Sequence, residues 1–337
     1  MAAVKRLSVT SYATRLVLFF IITCISIIIG LSSGPVKIGI GDLLATLFSN
    51  NANQTFSQII FEIRLPRILY AIAVGGGLSI AGAVFQAILM NPLAEPYILG
   101  ISSGGTFGAV LSFLIGTSFI GTQLFSFTGA FIVMIIVFLL GKRFGELEPN
   151  VLLLTGVMVG AFFSAAILLM MTLMNDSLRT AVFWLMGNLS IADKANLKFV
   201  LPITILVSFV LILNSNKYNL LSLGADSAKQ LGVNIKLFRN VTYLLTSLMI
   251  GALVSVSGII GFVGLLIPHI CRMIFGVDNR IVLPASFFLG ASYLILCDTL
   301  ARTIISPSEL PVGAVTAIIG APVFVYLLRK RFNINIS

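Results

Sequence analysis

Apolar runs recur along the whole chain, separated by short polar breaks. They fall near 14–34, 65–89, 97–115, 119–141, 150–172, 192–214, 240–257, 259–275, 282–302 and 311–329. Ile21 to Ile29 and Ile132 to Leu140 are nearly unbroken, whereas a membrane β-strand would alternate apolar and polar positions over segments of about 10 residues. The pattern therefore predicts helices whose backbone groups are satisfied internally. The stretch 240–275 is too long for one crossing. At about 1.5 Å per residue it would extend roughly 54 Å against a hydrocarbon core of about 30 Å. A break near Gly258 into two short helices is expected, giving about ten crossings. Two polar interruptions stand out, 35–64 and 215–239, and are read as loops on opposite faces.

Composition sharpens this reading. Of 337 residues 58% are hydrophobic and only 9% charged, where a soluble domain carries about a quarter charged. Mean hydropathy is +1.10. One transmembrane domain spanning 1–337 is expected, with no soluble catalytic domain. The net charge of +10 is spread over short loops rather than gathered on one face, which argues against nucleic acid. It reads as a topology signal instead. Ten crossings place 14 Lys and Arg residues on the face carrying Lys5, Arg6, Arg15 and 329–331, and 7 on the other, so both termini are expected in the cytoplasm. The basic N-terminal stretch before an apolar run lacks a clean cleavage site and is read as a retained first helix. Cys24, Cys271 and Cys297 lie scattered in apolar segments, so neither a disulfide framework nor a Cys-rich metal site is expected.

The sequence also lacks the chemistry of self-powered transport. No GxxxxGK[ST] phosphate loop is present, and neither HExxH, GxSxG nor a paired-Cys zinc pattern occurs. His269 is the only histidine, too few for a metal site, and a structural hydrogen-bonding role is expected for it. No catalytic residue is assigned. Ion-coupled transporters keep carboxylates within helices as relays. Here Asp298 is the chief such residue, and Arg302 one turn on offers it an ordinary i,i+4 partner. Energy is therefore expected from a separate soluble subunit, with a secondary transporter as the alternative and a membrane scaffold or exporter component as a third reading. Gly75-Gly76-Gly77 and Gly82 admit two readings: close helix packing, or room for solute beside a pore.

Separated motifs then agree in order. They are Arg64-Leu65-Pro66-Arg67, Gln86, Asn91-Pro92-Leu93-Ala94-Glu95-Pro96, and Leu223-Gly224-Ala225-Asp226-Ser227-Ala228-Lys229-Gln230-Leu231-Gly232-Val233 with Arg239 beyond. They continue with Gly261-Phe262-Val263-Gly264-Leu265, Pro268-His269, Asp278-Asn279-Arg280 and Glu309-Leu310-Pro311-Val312-Gly313. The chain resembles the FecCD family, permeases of iron-siderophore, haem and cobalamin ABC importers, nearly end to end.

The resemblance implies an all-α polytopic membrane protein of about ten transmembrane helices with the type II ABC importer permease fold. It implies a bacterial or archaeal inner-membrane location and a homodimer served by two cytoplasmic ATPase subunits and one external solute-binding protein. No cofactor is expected on this chain; ATP and Mg belong to the partner ATPase. An iron–siderophore is the expected cargo, with haem, cobalamin and oxyanions as alternatives. Gly224, Ala225, Asp226, Ala228, Leu231, Gly232, Val233 and Arg239 are expected to dock the ATPase. Asp226 and Ser227 suit a helix start after Gly224, and Gly232 suits a left-handed end, enclosing about one and a half turns. Arg64, Arg67 and Arg302 are expected to meet acidic residues of the binding protein, guanidinium forks being suited to carboxylates. The path and inner gate are expected at Gly76, Gly77, Gly82, Gln86, Asn91, Pro92 and Leu93.

Overall fold

The computed structural model describes residues 9–48, 53–174, 177–190 and 194–334. Lys5 and Arg6, counted in the charge asymmetry, and the side chain of Arg331 lie outside the described residues. The chain opens with α1 (Val9–Ser32), α2 (Ile40–Phe48) and α3 (Gln54–Gln58), which runs through a π-helical stretch (Ile59–Arg64) into α4 (Leu65–Ile88). A 3-10 turn (Pro96–Leu99) precedes α5 (Ile101–Leu114) and α6 (Phe119–Leu140). A minimal hairpin of β1 (Lys142–Arg143) and β2 (Glu146–Leu147) leads to α7 (Pro149–Thr172), α8 (Leu178–Leu185) and α9 (Lys194–Leu213). Short α10 (Ser215–Leu221) and α11 (Ala225–Gln230) come before α12 (Ile235–Ser257), α13 (Val263–Phe275), α14 (Asn279–Thr303) and α15 (Val312–Ile334).

Among the described residues eight helices are long and apolar enough to cross a bilayer: α1, the continuous Gln54–Ile88 helix, α6, α7, α9, α12, α14 and α15. The other two apolar segments, α5 and α13, have 14 and 13 residues. At about 20 Å each they fall short of the hydrocarbon core. Their inner ends must therefore be covered by protein, because bare backbone is not tolerated in lipid.

Two sequence expectations are corrected. The 35–64 interruption is largely helical, since α2, α3 and the π-helical stretch occupy it and the last two extend α4 into a 35-residue rod. Asn53 starts that rod by accepting a hydrogen bond from Thr55 N at 2.9 Å. The 240–275 segment does break at Gly258, whose φ of 68° suits a residue without Cβ. It yields one full-length helix and one short one, not two short ones. α12 begins at Ile235, below the apolar run, because Asn234 caps it through a 3.0 Å bond from Leu237 N.

Burial ranks the helices. The central window of α4 is 89% buried and those of α12 and α14 are 72% buried, against 17–33% for α1, α6, α7, α9 and α15. α4 is thus the axis around which the others pack. Small residues permit it. A Cβ on Gly82 would lie 1.8 Å from Gly264 O, and one on Gly75 would lie 2.4 Å from Gly290 O. Backbones of α4, α13 and α14 touch directly, which is how helices gain packing energy where lipid removes the hydrophobic drive.

Candidate functional site

Functional candidates collect at two ends of the bundle. At the end holding the start of α12, α11 is bounded by two glycines with positive φ, Gly224 at 107° and Gly232 at 86°. Val233 N donates to Ala228 O at 3.0 Å and Gly232 N to Lys229 O at 3.0 Å, the paired bonds of a Schellman ending. The sequence expectation of a short helix between these breakers matches the fold. Asp226, Lys229 and Leu231 are exposed, Leu231 at 60%, while Gly224 and Ala225 are partly covered. Ala228, Val233 and Arg239 are buried within the chain. Ala228 and Val233 seat α11 on the protein. Arg239 donates from Nη1 to Leu147 O at 3.3 Å, fastening the β1–β2 hairpin to α12. A mixed-charge depression of about 470 Å³ lies between them, with Glu146, Asp226, Lys229 and Lys236 on its walls.

The neighbouring turn is tied down as well. Asp278 caps α14, accepting from Arg280 N at 3.0 Å and from Asn219 Nδ2 at 2.7 Å, so α10 is fixed to α14. Burial alone would raise the Asp278 carboxyl, but the hydrogen bonds from Arg280 and Asn219 outweigh it and hold the group below its ordinary range. His269 is buried with its ring 5.5 Å from that of Phe324, on α15.

The loop after α4 forms a third cluster. Asn91 Oδ1 accepts from Leu93 N at 2.9 Å, a local turn that leaves Pro92 and Leu93 exposed at its tip. Gln86 is buried and clamped: its Nε2 donates to Ala94 O at 3.2 Å, and Arg272 Nη1 donates to its Oε1. Glu95 Oε1 accepts from Phe262 N at 2.9 Å, and Tyr97 Oη accepts from Ile260 N at 3.1 Å. Two side chains thus satisfy backbone donors in the irregular stretch between α12 and α13, where Phe262 itself has a φ of 67°. Glu95 stands in the sequence within the Asn91–Pro96 motif. Its signal was a carboxylate held between two prolines amid apolar residues.

The glycines expected on the path have close neighbours within this chain. A Cβ on Gly76 would meet the Phe287 ring at 2.6 Å, one on Gly77 would meet Leu253 at 2.7 Å, and Gly82 abuts Gly264. Within this chain Gly76, Gly77, Gly82 and Gln86 serve helix contact, while Pro92 and Leu93 keep free surface.

At the opposite end the three arginines are not free forks. Arg64, Arg67 and Arg302 are buried to within 4% of full. Arg67 Nη2 lies 2.9 Å from Asp298 Oδ1, its Nη1 lies 2.7 Å from Glu309 Oε2, and Arg302 Nε lies 3.1 Å from Asp298 Oδ2. Arg64 donates to Leu31 O and Val36 O. The carboxylates that Arg67 and Arg302 meet, and the carbonyls that Arg64 meets, belong to the chain itself, a correction to the expected outward presentation. Desolvation explains it: a buried guanidinium requires partners, and the i,i+4 acid on α14 is the nearest. Glu309 is the outermost member, its side chain 36% exposed.

Residues 22–330 match the FecCD transport family. The chain belongs to that family. The hemin transport system permease protein of Yersinia pestis is 35% identical over 94% of this chain and 96% of its own length. The molybdate import system permease protein of Haemophilus influenzae is 38% identical over 81% of each. A solved structure assigned to the metal-chelate type of ABC transporter, in an inward-facing conformation, superposes with a TM-score of 0.86 at 34% identity, covering 94% of this chain and 99% of that one. As a FecCD member the chain is a multi-pass inner-membrane permease subunit of an ABC importer, a family that works with an ATPase and a binding protein.

Proposed function

We propose that this permease imports a metal chelate, an iron–siderophore first among them, as a homodimer driven by two cytoplasmic ATPase subunits and fed by one external binding protein. ATP and Mg act on the ATPase, and this chain does no covalent chemistry. The observation that carries the reading is α11. A rigid six-residue helix stands between Gly224 and Gly232, seated by Ala228 and Val233 and presenting Asp226, Lys229 and Leu231. Closure of the ATPase pair moves such a lever as a body, and α12, capped at Asn234 directly after it, carries the motion into the membrane. Leu93 and Pro92, exposed beside the α4 end, are suited to gate the path between two copies.

Sidedness follows from charge. The 14 to 7 distribution of Lys and Arg favours the α11 end as cytoplasmic. Arg15 of α1 lies 5.5 Å from the Phe275 ring at the end of α13, which supports a cytoplasmic start of the chain. The binding protein then faces the arginine end, where Glu309 and the turn around it offer the polar surface and the buried arginines brace it from beneath.

Cargo choice rests on the binding protein, because relatives of similar identity serve haem and molybdate. Two measurements test the reading. A tagged chain should co-purify a soluble ATPase, and cells lacking the chain should lose energy-dependent uptake of a ferric chelate that the cognate binding protein binds. Uptake driven by an ion gradient in liposomes containing this chain alone would sink the reading. Ferric-chelate uptake unchanged by deletion, with uptake of a different ligand lost, would remove the iron assignment and leave the importer.

A further inference from the structure

A groove of about 520 Å³ opens between α9–α10 and α12. Its lining is mostly apolar, with Leu211 near the end of α9 and Val241 and Leu245 on α12, and Tyr218 and Thr242 add two hydroxyls. Leu245 lies ten residues into α12 and five past the start of its apolar run at 240, about 8 Å along the helix axis, so the groove enters the span. Its mouth is polar, formed by Asn214, Asn234 and Lys217. Among the described residues Lys217 is the one charged side chain on the lining, and no carboxylate joins it. Lys217 is exposed, with Nζ 5.7 Å from the centroid of Phe238.

A cleft with an apolar floor inside the hydrocarbon and a lone cation at its lip matches one kind of molecule. We propose that it holds an anionic phospholipid of the adjacent leaflet, with an acyl chain between Leu211 and Leu245 and the phosphate at Lys217. Basic pockets between membrane helices select anionic headgroups in this way, and the long lysine stem suits the boundary between oil and water. A soluble anion would leave the apolar floor wet; a zwitterionic lipid would gain little from a single unopposed cation. Leu231, Gly232 and Val233 form part of the wall, so the lipid would pack against the seat of α11. That consequence rests on the docking role proposed above. The binding itself does not.

The full chain, purified in detergent without any partner, is exposed to phosphatidylglycerol and to phosphatidylcholine of identical acyl chains, and retained lipid is counted by native mass spectrometry. The wild type should prefer phosphatidylglycerol. Lys217→Gln should lower that preference about fivefold, the value of one basic side chain at an anionic surface, and Lys217→Glu should lower it further. Val241→Trp, which narrows the groove at an exposed lining position, should reduce retention of both lipids. Lys236→Glu, on the neighbouring charged depression, should leave the preference intact. Equal retention of the two lipids by wild type would overturn the site. So would a loss with Lys236→Glu as large as that with Lys217→Glu, which would reveal a diffuse basic field. Because no ATPase or cargo enters the measurement, its failure is distinguishable from failure of the import reading.

Discussion

Removing Asp298 should destabilise the arginine end more than any other single charge change. The carboxylate is 1% exposed and lies between the Arg67 and Arg302 guanidiniums, 5% and 4% exposed. Asp298→Ala leaves two buried cations facing one another with Glu309, among the described residues, as the acid beside them. Breaking a buried pair in this way costs about 3–5 kcal/mol. Arg302 keeps weak neutral acceptors, Gly30 O at 3.2 Å and Thr299 Oγ1 at 3.3 Å, which cannot replace a charge. Neutralising the whole set, Arg67→Met with Asp298→Leu and Arg302→Met, should restore most of the loss, because the penalty arises from unpaired charge rather than from lost attraction. Glu309 then turns to solvent, its side chain being 36% exposed already. Thermal melting of the detergent-solubilised chain, followed by size-exclusion recovery, reads both effects. The Asp298→Ala loss should persist in about 1 M salt, where the screening length is about 3 Å, since salt does not reach a buried pair. Wild-type melting of Asp298→Ala would refute the reasoning, as would a triple variant no more stable than the single one.

Gly82→Ala should abolish recovery of folded protein, because its Cβ would meet Gly264 backbone at 1.8 Å, whereas Gly160→Ala, with no neighbour closer than 3.6 Å, should be recovered normally. Gly232→Val places a β-branched residue at a φ of 86°, at about 1–2 kcal/mol of local strain; ATPase co-purification should fall while membrane insertion is unchanged. Asp278→Ala should cost about 0.5–2 kcal/mol as a lost helix cap. The wild-type contribution should be present above the ordinary carboxylate pKa of 3.8 and vanish as pH falls through the lowered native value, so the gap between wild type and Asp278→Ala should close in an acid melting series.

The helices were legible because lipid enforces a coarse rule. Any segment that crosses must be apolar and internally hydrogen-bonded, so runs such as 119–141 mapped onto α6 within a residue or two. Glycine breakers were legible for a related reason. Gly224, Gly232 and Gly258 each hold a positive φ, a backbone requirement written in one residue and independent of its neighbours. What the sequence hid depends on distant partners. Whether Arg67 faces outward or inward is decided by Asp298 and Glu309, 231 and 242 positions away, and no local pattern encodes that pairing. Gly76 and Gly82 look alike as pore-lining or packing residues until Phe287 and Gly264 are placed against them.

The same logic explains why exposure alone does not mark a path. In a soluble protein a large exposed apolar patch marks an interface, but on a membrane helix it marks lipid, a second copy or a conduit without distinction. α7, with 17% of its window buried, exposes Leu154, Met158 and Phe162 in the single chain. Those side chains are as suited to lipid as to a dimer partner. α4 is the opposite case, buried on every side and bounded at one end by the arginine network and at the other by the Gln86–Arg272 clamp. A rod locked at both ends transmits displacement without bending. Motion imposed at α11 is therefore expected to leave α4 and its partners moving as one body, with rearrangement confined to the sparsely buried outer helices.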